Sequence, residues 1–172
     1  MAIGTYKMIY RASGVIFSQA GFCLTFSEFH ENAGKWMYEL KQSKNYPGGA
    51  IHTLIQEFIE QNNLQYKVAL ITVHTELSAS IFSGASIAAA TGLPVITNLT
   101  ELDLAFGGNG EFYKSCIEKL GINNNHLDDV TKSICIAFMG ILRWREEYNF
   151  LSSITGASRS SIGGAVWLGH EA

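Results

Sequence analysis

Val68-Ala69-Leu70-Ile71-Thr72-Val73 is a continuous apolar run with β-branched members. Such a run suits a strand covered on both faces, as in a parallel sheet, rather than a strand with one wet face. Upstream, Ile51, Leu54, Ile55, Phe58 and Ile59 recur at i, i+3, i+4, i+7 and i+8. That spacing predicts one apolar stripe of a helix, ending at Asn62-Asn63. Downstream, Ala85 to Thr91 reads as a short small-residue helix closed by Gly92, and Pro94 to Thr97 as a second buried strand.

The N-terminal third reads differently. Tyr6–Arg11, Gly21–Phe29 and Lys35–Ser43 are strand candidates, with Ser13-Gly14 and His30 to Gly34 as punctuation between them. Three strands with short links predict an antiparallel meander, which Tyr46-Pro47-Gly48-Gly49 stops. Toward the C-terminus, Gly107 to Gly110 is a flexible loop and Glu111 to Leu120 a helix ending at Gly121. Asn125 can cap the longest helix, Leu127 to Tyr148, with Asp128 and Asp129 in its first turn, favourable to the helix dipole. Val130, Ile134, Ala137, Phe138, Ile141 and Leu142 face the core on this reading. Ile162 to Leu168 makes a final strand or hairpin.

The 172 residues suffice for one domain with a real core. Apolar residues at 47% against 16% charged exclude disorder as the main state. The net charge of −3 offers no basic excess for phosphates, so nucleic acid is not expected as a partner. No apolar run reaches the ~18 residues of a membrane span, and Met1 to Lys7 lacks the pattern of a signal peptide. Cys23, Cys116 and Cys135 are odd in number and widely spaced. They read as buried thiols in a reducing cytoplasm, with no disulfide framework, metal site or paired base for a nucleophile. Asp103, Asp128 and Asp129 are the only aspartates, little from which to build a phosphoryl-transfer site. The five histidines never fall at i, i+3 or i, i+4, so no helical zinc pair is present.

The element order βββαβαβα resembles a single ribonuclease H-like lobe of the actin-like ATPase and sugar kinase fold. The implied fold class is α/β, a mixed sheet with flanking helices. Residues 1–172 then form one domain: 1–121 the lobe core, 126–172 the helix and tail packing back on it. Two stretches go further. Gly84 to Gly110 (GASIAAATGLPVITNLTELDLAFGGNG) and Asp129 to Val166, including LSSITGASRSSIGGA, resemble the anhydro-N-acetylmuramic acid kinase family. The resemblance implies ATP, magnesium and an amino-sugar substrate in cell-wall recycling.

Departures from the family pattern change that implication. No GFDxGPGN or LNIGGxxN segment of the family's second lobe occurs in the chain. The segment aligned with the phosphate hairpin, Ala12 to Gly21, replaces hydroxyls and acids with Val15, Ile16, Ser18 and Gly21. A phosphate cradle needs small residues, hydroxyls and an acid for the metal. Ser13, Gly14 and Ser18 are therefore read as a vestigial phosphate loop. His74, Asn98, Asp103, Gly107, Gly108 and Asn109 are read as a vestigial sugar site.

Structural roles are open for several of these. His74 can serve the core, Asp103 a helix cap or the solvated surface, and Gly107 to Gly110 a plain loop. Ser152 to Ser160, with Arg159, reads as a hydrogen-bonded loop rather than a phosphosite cluster.

The expected protein is a catalytically inactive relative of the kinase, acting as a binding or scaffold module, with no cofactor and no metal. The alternative is a residual or complemented ATP-dependent sugar kinase. Mean hydropathy is +0.11. It points to a homodimer or hetero-partner across the face bared by loss of the second lobe, with an amino-sugar ligand as a further partner.

Overall fold

The computed structural model describes residues 7–76, 83–100, 113–123, 127–152 and 165–167. The three N-terminal strands are longer than their sequence signals: β1 is Lys7–Ser18, β2 Gly21–Asn32 and β3 Lys35–Tyr46. They form the predicted antiparallel meander, with β2 pairing both neighbours. Ala33 and Gly34 take positive φ (52° and 84°) to close the second hairpin. Ser13-Gly14 is not a break. Both residues lie mid-strand in β1, paired with Phe26 and Thr25. The local Ser-Gly signal yields to packing, because a helix crosses β1 at Gly14.

The remaining elements follow in the expected order. They are α1 (Ile51–Gln61), β4 (Leu70–Thr75), α2 (Gly84–Thr91), β5 (Val95–Thr97), α3 (Tyr113–Leu120), α4 (Asp129–Ser152) and β6 (Ala165–Trp167). Helix α2 starts where the Ser83 hydroxyl accepts from the Ser86 amide at 3.2 Å. It stops where Gly92 turns left-handed (φ 72°), its amide bonding to the Ala88 carbonyl at 2.8 Å.

The sheet has six strands in the order β3-β2-β1-β4-β5-β6. β4 runs parallel to both β1 and β5, and β6 antiparallel to β5. Leu70 to Val73 are all buried, as the apolar run demands, because β4 has helices on both sides. On one side the α1 stripe, led by Ile55 and Phe58, packs on Val15, Leu24, Ile71 and Val73. On the other, Ile134, Ala137, Phe138 and Ile141 of α4 pack on Ala12, Phe29, Leu70 and Ile96. Each such large side chain contributes about 1.5–3 kcal/mol by leaving water.

Helix α4 lies close to the sheet. A Cβ on Gly14 would overlap the Ser133 carbonyl oxygen, and one on Gly140 would overlap the Thr72 hydroxyl. Ser133 Oγ donates to the Gly14 carbonyl at 2.8 Å and lies 2.9 Å from Thr25 Oγ1. The small residues thus admit the helix, and the hydroxyls satisfy the polar groups it buries.

This arrangement corrects one expectation. A face bared by a missing lobe was to seat a partner, but β1 and β4 carry packed helices on both faces.

Candidate functional site

Parallel β1 and β4 end in register. Ile16 lies beside His74 and Phe17 beside Thr75, and the Glu76 amide donates to the Phe17 carbonyl at 2.8 Å. The N-terminus of α4 arrives at this same rim. In open α/β sheets such a rim, at the carboxyl ends of parallel strands, is where ligands bind. Ser18 Oγ donates to Asp129 Oδ2 at 2.9 Å, tying the end of β1 to α4. Lys132 Nζ lies 2.9 Å from Glu76 Oε2, tying the end of β4 to the same helix. Lys132 also stands over the Tyr113 ring, 5.9 Å from its centroid. His74 meets that ring edge-on, with centroids 6.2 Å apart. Asp128 Oδ1 accepts from the Thr131 amide at 2.8 Å and caps α4.

Burial sets the protonation here. It lowers the His74 pKa to about 4, so the imidazole is neutral at pH 7; Lys132 acts in the same direction and Glu76 opposes. Burial raises the Tyr113 phenol above its ordinary range, and Glu76 adds to the effect. Cys23, on the strand beside Ile16, is pushed up to about 12 by burial and by the charges of Asp129 and Asp128.

The sequence-predicted residues are distributed as follows. Ser13 is buried and its hydroxyl has no hydrogen-bond partner among the described residues. Gly14 faces Ser133, so neither residue forms an open loop. Ser18 reaches the rim. His74 is there too, and Asn98 follows β5 with a left-handed φ of 61°. Asp103, Gly107, Gly108 and Asn109 lie outside the described residues, as do Ser153 to Ser160. Glu76, Tyr113 and Lys132 were not singled out from sequence. The one available signal was position: a charged residue directly after a buried strand, and a lysine one turn into a helix.

A second feature lies across the middle of β1, β2 and β3, beside the segment that leads into β4. A groove of about 450 Å³ is lined by Arg11, Phe26, Glu28, Lys41, Gln42, Asn62, Leu64, Tyr66 and Lys67. Arg11 Nε donates to Glu28 Oε2 at 2.9 Å and holds that carboxyl below its ordinary pKa. Lys41 Nζ lies 3.9 Å from Glu28 and 3.1 Å from Glu39. Tyr66 is fully exposed. Three cations and one acid line the groove, with Glu39 beside it engaging Lys41, which leaves a local excess of one positive charge.

Two-metal phosphodiester chemistry needs carboxylates converging from several elements. The described donors do not fit it. β1 carries no acid, and no group of three or more His, Cys, Asp or Glu able to hold a metal occurs among the described residues. Nor is any helix among them long and apolar enough to cross a membrane.

No family model matches the chain, and no curated protein matches it. Solved structures do. The Thermus thermophilus RuvC structure aligns with a TM-score of 0.51 and 13% identity over 81% of this chain and 97% of that one. T. thermophilus RuvC in complex with Holliday junction substrate aligns with a TM-score of 0.41 and 11% identity, over 91% and 99%.

These findings overturn the kinase resemblance. The inactive-kinase reading, the residual sugar kinase, the amino-sugar ligand and the role in cell-wall recycling go with it. The small residues that carried the resemblance serve packing in this fold: Ala88 is on the buried face of α2, Gly92 caps that helix, and Ala137 and Gly140 seat α4. The exclusion of nucleic acid is corrected as well. A chain-wide charge sum does not report where the cations lie, and Arg11, Lys41 and Lys67 meet at one groove despite the net charge of −3. The α/β lobe with a mixed sheet and flanking helices is present, and in that fold the chain is similar to T. thermophilus RuvC.

Proposed function

We propose that this chain is a nucleic-acid-binding domain with a RuvC type of fold, its cationic groove tracking the phosphate backbone. The observation that carries the reading is the meeting of Arg11, Lys41 and Lys67 around one groove in a chain of net charge −3. Cations gathered against the overall balance mark an anion site. The fold supplies the analogy for a polymeric anion. The reading stops at binding, because the rim acids are engaged by Ser18 and Lys132. Three free, buried cysteines support a cytoplasmic location. Packing of α4 across β1, β2 and β4 supports reading 1–172 as one domain, with 1–121 and 126–172 sharing a core.

The test is fluorescence anisotropy with a labelled four-way DNA junction, titrated from about 50 to about 200 mM salt. Binding is expected to weaken with a log–log slope of about −2 to −3, since about three phosphates are neutralised. Lys41→Gln and Lys67→Gln should each reduce the slope by about 1. Absence of binding at low salt, or wild-type slopes in both variants, overturns the reading.

A further inference from the structure

Resting on that reading and deepening it, we infer that the groove selects unpaired nucleotides, with Tyr66 as a stacking platform for the base. Tyr66 sits in a turn whose backbone is fixed: the amides of Lys67 and Val68 both bond to the Leu64 carbonyl, at 3.0 and 3.2 Å. Leu64 and Val68 on either side are buried. The anchored turn leaves Tyr66 wholly in solvent beside the groove, an open aromatic face on a rigid base. Single-strand binders pair such a face with a cationic track, and stacking there tolerates any base.

The shape agrees. Protein enters the grooves of a duplex by projecting an element into them. Here the surface is concave, and about 450 Å³ suits one extruded base with its phosphate. Phe26 and Leu64, both buried, line the groove, and the Gln42 amide can both donate to and accept from a base edge, while Asn62, whose Nδ2 already donates to the Phe58 carbonyl at 2.9 Å, offers its amide oxygen. An acidic peptide would use the cations but not the aromatic face.

The experiment compares three probes by anisotropy and competition: an oligothymidylate of roughly 12 nucleotides, the same strand paired as a duplex, and polyglutamate. The single strand is expected to bind about tenfold tighter than the duplex. Tyr66→Ala should weaken single-strand binding about tenfold or more at an unchanged melting temperature, and Tyr66→Trp should retain it. The inference is overturned if Tyr66→Ala binds the single strand within about twofold of wild type. Equal affinity for strand and duplex, or equal competition by polyglutamate, also overturns it. If Lys41→Gln and Lys67→Gln weaken binding while Tyr66→Ala does not, stacking fails and the functional reading stands. If the wild type binds neither strand nor junction, the functional reading itself fails.

Discussion

Ser133 donates its hydroxyl hydrogen to the carbonyl of Gly14 at 2.8 Å, and the absence of a side chain on Gly14 lets Ser133 come that near. The two residues are 119 apart in sequence. They fix the depth at which α4 lies on the sheet, and so the position of the Asp129 turn relative to Ser18.

Gly14→Ala should therefore cost about 3 kcal/mol. The added methyl meets a backbone oxygen, which cannot swing aside as a side-chain tip can. Urea unfolding checks this: the midpoint should fall with the m-value unchanged. A loss below about 1 kcal/mol would show that α4 does not lie so close.

Gly140 and Thr72 form the second close approach, and here the obstacle is a side chain. Gly140→Ala should destabilise the fold, and Thr72→Ala should relieve part of that cost. A double-mutant cycle is expected to give a coupling of about 1 kcal/mol or more; additive effects would separate the two sites.

His74 makes stability pH-dependent. Its pKa is near 6.5 in the unfolded chain and about 4 in the fold because burial disfavours the imidazolium. Between those values the unfolded chain binds a proton that the folded chain refuses, so stability falls as pH falls from 6.5 to about 4. Above 6.5 the contribution is fully present. The loss attributable to His74 is up to about 3 kcal/mol, less where partial exposure screens it. His74→Gln should flatten the pH profile of the unfolding midpoint in that window, and an unchanged profile would refute the assignment.

All three cysteines are free and buried. Burial pushes the Cys23 thiol up to about 12 and raises that of Cys116 as well, a hydrogen bond with Cys135 adding to the rise. Thiolate is the reactive form. Native protein at about pH 8 should resist alkylation at all three positions, and urea should release them together. Rapid labelling of Cys23 in the native state would contradict its placement.

Much of the fold was legible where a period meets a single packing partner. The run Val68 to Val73 and the stripe Ile51 to Ile59 became β4 and α1 because each pattern reports its own burial. Ser13-Gly14 misled because Ser and Gly signal turns locally, while here a helix from the far end of the chain requires the small residues. The rim was only partly legible. Ser18 and His74 were named, but Glu76 and Lys132 are 56 residues apart, and Ser18 and Asp129 are 111 apart. Pairings at that separation are set by topology and leave no local period. Charge misled through averaging: Arg11, Lys41 and Lys67 are scattered in sequence and meet only when β1, β3 and the α1–β4 turn assemble.

β3 has a further consequence. It is one of the two edge strands of the sheet, twelve residues long, and much of it is exposed, including Met37 and Leu40. An open border of that length would invite stacking of one molecule on the next. Lys35, Lys41 and Lys44 lie along it, and the register shifts where Phe26 and Ser27 face it. Another strand would have to desolvate ammonium groups and follow an irregular seam. These lysines are expected to oppose such strand addition, and shielding them with salt should shorten the time before the protein clouds.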